Sequence, residues 1–257
     1  MSNFSVEERI RLAKEKTQKL VDHTSHLISI HENNKIILYS KILTDQIPES
    51  FAANAFNVLQ ESLYGFELVR LCVLWDKPRK DDFSEESIPS VCGLVSDPQV
   101  LQVLRDEARL NCGAFSSDQL GGQKLSNGLL DKIKKSHDER ADEYAAHQES
   151  RLACAIRAAD RVVKSNTMVS VRNYRDKYLV HSLSATQREK RQGVVNLPKY
   201  GDEVKLLRLT QRIVSLLYGG VCGIGYSFDD SHYFARRCAS ELWGNCKIKL
   251  PSQGLPV

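Results

Sequence analysis

The stretch that decides the fold is Ile47–Asp76, IPESFAANAFNVLQESLYGFELVRLCVLWD. Beyond Pro48, its apolar residues Phe51, Ala55, Val58, Leu59, Leu63, Phe66, Val69 and Leu74 recur at spacings of three and four. That is the period of a helix face, and the run is too long for a strand, so it predicts a long core helix. Upstream, a helix is expected from about Ser5, an N-cap with Glu8 three residues on, through Ile30, with Ile10, Ala13, Leu20, Leu27 and Ile30 as its apolar stripe. Downstream, Lys77–Gly93 is charged and holds prolines, which suits a loop with room for one short helix. Asp97 and Pro98 then open another helix, as N-cap and first helical residue.

Farther along, Asn111–Gly128 is rich in Gly and Ser and reads as a hinge or insertion. A charged helix follows from about Gly128 to Val163. Ser165–Thr167 interrupts it, and Asn166 or Thr167 is the expected cap of the next helix. Asp202–Leu217 is amphipathic, with Val204, Leu207, Ile213, Val214 and Leu217 inward, and Gly219-Gly220 is the expected C-cap. A last helix is expected from about Asp230 to Trp243. Strand alternation is almost absent and no repeat occurs, so the fold class is all-α, a bundle of roughly six to eight helices. It reads as one domain over 1–257, with a helical extension at 1–47, a core at 48–225 and a helix and tail at 226–257.

A chain of 257 residues and 29.0 kDa can bury a core without disulfide or metal staples. Its 42% hydrophobic and 26% charged residues exclude wholesale disorder. The net charge of +4 is too small to announce nucleic acid, but its distribution is uneven: from Arg151 to Arg191 ten Lys or Arg stand against three Asp or Glu. The seven cysteines are widely spaced without a C-x-x-C pair, which reads as reduced, mostly buried thiols. No apolar signal core or membrane-length apolar run is present, so a cytoplasmic protein is expected, with no membrane partner.

The basic region contains Val171–Thr186, VRNYRDKYLVHSLSAT, where cations and a histidine interrupt an apolar helical pattern. On an ideal helix, Arg175 and His181 fall about 120° apart around the axis and about 9 Å along it, so they are not stacked neighbours. The residue types suit phosphoryl transfer on RNA. Imidazole exchanges a proton near neutral pH, and guanidinium offers fixed donors to phosphate oxygens as their charge builds. With the ribose 2′-hydroxyl as nucleophile, neither metal nor cofactor is required. The same residues also suit a solvated face or a salt-bridge network.

Arg175, the polar Asp176 directly after it, and His181 after five intervening residues resemble the signature of the HEPN superfamily. RNYRDKYLVHS, followed about 20 residues later by YGDEVKLLRLTQRIVSLLYGG, is similar to the AbiU2-type branch, which is associated with abortive phage infection in bacteria. LYGFELVRLCVLWD resembles the core helix of that branch. The resemblance spans Phe51–Gly220 and implies a HEPN-like bundle that pairs as a homodimer. Many members are metal-independent endoribonucleases leaving 2′,3′-cyclic phosphate ends; others only bind nucleotides or partners. By position, Arg175 would hold the scissile phosphate, His181 would act as general acid or base, and Asp176 would orient one of them. A nucleotidyltransferase-type antitoxin is an implied partner. Arg172 and Lys177 add candidate RNA-backbone contacts. Tyr174 and Tyr178 could stack on bases but read more simply as core packing, and Tyr178 is the one carried as an RNA-binding candidate.

Two other features are weaker. His23, His26 and His31, with Asp22 and Glu32 nearby, permit a metal site but read more simply as a solvated face. YGGVCGIG follows a helix instead of joining strand to helix, so a phosphate cradle is not expected, and Cys222 has no assignable base. Against the ribonuclease reading stand a non-catalytic helical module that binds RNA, nucleotide or a protein partner, and an ion-pair network that only fixes the bundle.

Overall fold

A computed structural model describes residues 4–47, 49–78, 83–112, 127–181 and 184–249. Among them are ten α-helices, one π-turn and no strand: α1 Val6–Tyr39, α2 Lys41–Thr44, α3 Phe51–Leu74, α4 Ile88–Val95, α5 Pro98–Asn111, α6 Asn127–Lys164, α7 Asn166–Tyr174, the π-turn Arg175–Leu179, α8 Gln187–Gln192, α9 Asp202–Cys222 and α10 Asp229–Gly244. The all-α class holds. The two helices beyond the expected eight, α2 with 4 residues and α8 with 6, are too short to impose a period on the sequence.

Caps explain most boundaries. The Ser5 hydroxyl accepts from Glu8 N, and Asp97 accepts from Gln99 N ahead of Pro98. Most of the Gly- and Ser-rich stretch, 113–126, lies outside the described residues. α9 runs through Gly219 and Gly220 and ends before Gly223, at φ +73. The expected C-cap is therefore corrected. A Cβ on Gly220 would lie 2.4 Å from Leu152 Cγ, and one on Gly219 would lie 2.8 Å from Arg151 Nη1, so these glycines permit close helix packing.

The chain forms two compact units, Met1–Leu20 with Lys77–Arg161 and Arg212–Tyr226, and Val21–Asp76 with Val162–Gln211 and Ser227–Val257. In the first, Arg9 donates to the carbonyls of Gly93 and Leu94 at the end of α4 and to Asp97 at the start of α5. One guanidinium thereby satisfies C-terminal carbonyls and an N-cap carboxylate. Tyr144 donates to Gly223 O, fixing the end of α9 against α6.

In the second unit, α3 buries Tyr64, Leu68, Leu71, Cys72 and Leu74, followed by Trp75. Trp75 donates its indole N–H to Thr210 on α9 at 2.9 Å. Four members of the expected stripe are exposed: Phe51 at 93%, Val58, Leu59 and Phe66. α3 is apolar on more than one side, so spacing alone did not select the buried one. His31 and Glu32 are also buried, which corrects the solvated reading for these two, while Asp22 and His26 are exposed as expected. His31 Nδ1 donates to Glu67 at 2.7 Å, and Asn34 donates to the same carboxylate at 2.8 Å. These partners make burial of Glu67 tolerable.

Candidate functional site

α7 begins at Ser165, whose hydroxyl accepts from Met168 N, one residue ahead of the expected cap. It buries Met168, Val171 and Asn173 and then widens. The N–H of Val180 reaches back five residues to Arg175 O at 2.9 Å, closing a π-turn. Such turns interrupt the α-helical register and recur at functional sites. The ideal-helix relation between Arg175 and His181 therefore does not apply, and His181 lies beyond the turn in exposed chain.

The end of α3 holds this turn. Arg172 donates to Trp75 O, satisfying a carbonyl at the helix C-terminus, where a cation is also favoured by the helix dipole. Arg175 donates Nη1–H to Asp76 and Nε–H to Asp176, each at 2.8 Å. Burial pulls its guanidinium pKa down, but the bonds to Asp76 and Asp176 outweigh this and raise it. Gly65 admits Leu179 from the π-turn; a Cβ there would lie 3.0 Å from Leu179 Cδ2. Burial lowers the pKa of Arg172 and pushes the Cys72 thiol up to about 12.

A second network faces the turn from α8. Thr186 and Glu189 form a reciprocal capping box. The Thr186 hydroxyl donates to Asn173 Oδ1 at 2.5 Å, and Asn173 donates to Glu189 at 3.0 Å. Lys177 pairs with Glu189 at 3.2 Å. The N–H of Thr186 is the main cause holding the Glu189 carboxyl below its ordinary range, with Asn173 and Lys177 adding to it. The Glu189 bond in turn raises the Lys177 pKa.

Between these networks lies a cavity of about 530 Å³, lined by Asn173, Asp176, His181, Thr186, Gln187, Arg188 and Arg191. Of the sequence candidates, Asp176 and His181 meet there, while Arg175 stands behind Asp176 and is not in the lining. Arg172 is turned toward Trp75 and Lys177 toward Glu189. Tyr178 is 53% exposed and lies 5.2 Å from the Tyr174 ring. Sequence reasoning missed Asp76, Arg188 and Arg191. The first follows the long helix, and of the other two Arg188 lies within, and Arg191 just beyond, a T-x-x-E capping signature at Thr186–Glu189 that marks α8. Arg188 donates to Val169 O at 3.0 Å, whereas Arg191 is exposed and makes no ion pair among the described residues.

The arrangement offers an exposed imidazole, a carboxylate and two guanidinium groups around one opening, which suits phosphate recognition and proton transfer. Among the described residues, no group of three or more His, Cys, Asp or Glu is placed to hold a metal ion. Burial raises the Cys222 thiol pKa, which disfavours the thiolate form. No described helix is long and apolar enough to cross a membrane.

The described residues define an all-α protein, and the family model that matches it is of the HEPN class. The chain belongs to the AbiU2 family, whose model, described as HEPN_AbiU2, matches residues 14–242. No curated protein and no solved structure matches it.

Proposed function

We propose that the protein is a metal-independent endoribonuclease acting in phage defence or as the toxin of a toxin–antitoxin pair. The observation carrying this reading is the cavity that holds His181 and Asp176 with Arg188 and Arg191, backed by Arg175. His181 takes the proton of a ribose 2′-hydroxyl as its oxygen attacks phosphorus. The P–O5′ bond breaks, and the 5′-oxygen leaves as a hydroxyl after accepting a proton, so the other end carries a 2′,3′-cyclic phosphate. Arg188 and Arg191 hold phosphate oxygens as charge builds on them.

Arg175 orients Asp176 and adds positive charge behind it, held there by its bonds to Asp76 and Asp176. Lys177 and Tyr178 contact the strand, the latter by stacking, while Arg172 braces the turn. A homodimer supplies a second His181 as the acid, and the exposed Phe51, Val58, Leu59 and Phe66 share the side of α3 that fits such pairing. A nucleotidyltransferase-type partner would restrain the activity.

The test is single-stranded RNA incubated with the full chain in EDTA. Cleavage leaving 2′,3′-cyclic phosphate and 5′-hydroxyl ends is expected; cleavage only on adding metal contradicts the mechanism. The two short bonds from Arg175 to Asp76 and Asp176 favour a second reading, a non-catalytic module that binds RNA. It predicts salt-sensitive RNA binding without product.

A further inference from the structure

Between α8 and α9 the chain leaves helical structure from Gly193 to Gly201, in the same compact unit as the π-turn. Gly193, at φ +84, turns it off the end of α8, a backbone angle that suits glycine. The connector then exposes its large side chains: Val194 is 95% exposed, and Leu197 and Tyr200 are exposed with it. RQGVVNLPKY, Arg191–Tyr200, holds no Asp or Glu. Cations stand toward both ends. Arg191 lines the π-turn cavity, and Lys199 is exposed with no ion pair among the described residues. A segment of this length sets its ends at most about 30 Å apart.

Tyr200 is exposed but not loose. Lys199 donates its backbone N–H to Asp202 Oδ2 at 2.9 Å, and Asp202 returns an N–H to Lys199 O at 3.0 Å. Gly201, at φ +93, donates to Glu203 at 2.9 Å, and Tyr39 donates its hydroxyl to the same buried carboxylate at 2.6 Å. The Tyr200 ring lies 5.2 Å from that of Tyr64 and meets Tyr39 edge-on at 6.1 Å. Even so braced, the residue is 73% exposed, and its hydroxyl has no hydrogen bond among the described residues. A ring held in this way has little freedom left to lose when a flat group lands on it. A nucleic-acid base is such a group, and only an unpaired one opens its face to a side chain. Both carboxylates of the turn are engaged, so the charge left along the connector is that of Arg191 and Lys199, which suits a phosphate backbone.

We propose that the connector from Arg191 to Tyr200 is the track of the RNA strand beyond the π-turn cavity, with Lys199 on a backbone phosphate and an unpaired base stacked on Tyr200. The assignment rests on the RNA reading of that cavity.

The test uses the full chain and a fluorescein-labelled single-stranded 2′-O-methyl RNA, which has no free 2′-hydroxyl to attack, so that anisotropy reads binding without cleavage. Tyr200→Ala is expected to weaken binding about tenfold with an unchanged circular dichroism spectrum, and Tyr200→Phe, which keeps the ring, to bind as the native chain does. Replacing one base at a time by an abasic site is expected to find a position where the native chain loses the same factor and Tyr200→Ala loses nothing further. The corresponding duplex is expected to bind the native chain and Tyr200→Ala alike; an equal loss there would overturn the stacking of an unpaired base. Undiminished single-strand binding by Tyr200→Ala, or abasic losses equal in the two chains at every position, would overturn the proposal and leave RNA cleavage at His181 standing, with the connector then free for a protein partner. Tyr200-dependent binding by a chain that cuts no unmodified RNA would uphold the proposal and sink the ribonuclease reading. Absence of any RNA binding would overturn both.

Discussion

At the π-turn, His181 stands in exposed chain with no hydrogen bond among the described residues, while His31 and His232 in a second cavity, walled by α1, α9 and α10, each direct Nδ1 at a glutamate. Both cavities gather arginines, but their imidazoles differ in freedom. A histidine that must gain and lose a proton during a reaction needs access to substrate and solvent. One held by buried carboxylates and amides instead fixes the shape of its surroundings. On the proposed reading the first imidazole is the one available to chemistry, while the other two hold their surroundings in place.

Stability should separate them most strongly. Glu67→Ala strands His31 and Asn34 in the interior and should cost about 3 kcal/mol, whereas His181→Ala should change stability by less than about 0.5 kcal/mol. Urea denaturation of the two variants measures this; similar losses would erase the distinction between held and free histidines. Next in size, Thr186→Ala removes a capping box and should cost about 1 kcal/mol in the same measurement while slowing RNA cleavage, because α8 carries Arg188 and Arg191. A stability loss with unchanged cleavage would detach α8 from the site.

A smaller effect is expected from Arg191→Ala. It should weaken RNA binding modestly and reduce the slope of log affinity against log salt by about one, read by fluorescence anisotropy. An unchanged slope would remove Arg191 from the phosphate contacts.

The smallest effect is a pH dependence. The folded pKa of Glu189 lies below its ordinary 4.5, so its contribution is complete above that value and is lost as pH falls through the folded one, where the unfolded chain binds more protons. The stability advantage of the native chain over Glu189→Gln should therefore shrink as pH falls below the ordinary carboxylate value of 4.5. An advantage that grows on acidification would contradict this sign.

The two regions also differ in how much of them the sequence discloses. The π-turn cavity is lined by residues from 173 to 191, and its motif residues Asp176 and His181 were legible as residue types close together. The turn itself was not: Arg175–Leu179 satisfies a helical pattern, and only the bond from Val180 N to Arg175 O reveals the wider loop. α8 left a capping signature but no period, which hid Arg188 and Arg191. The other cavity joins residues from 31 to 236, and no local spacing connects Lys35 with Arg208 and Arg236. A long helix such as α1 was legible because the Ser5 cap and an apolar stripe agree, and the start of α5 because Asp97 and Pro98 mark it. The face of α3 and the role of Gly219-Gly220 were not, because partner helices determine both.

The central claim is that the free histidine at the π-turn carries RNA cleavage. Single-turnover cleavage of single-stranded RNA in EDTA, comparing the native chain with His181→Ala, tests it most directly. A fall of about 10²- to 10⁴-fold in rate, with RNA binding retained, is predicted. Equal rates for the two chains would contradict the account.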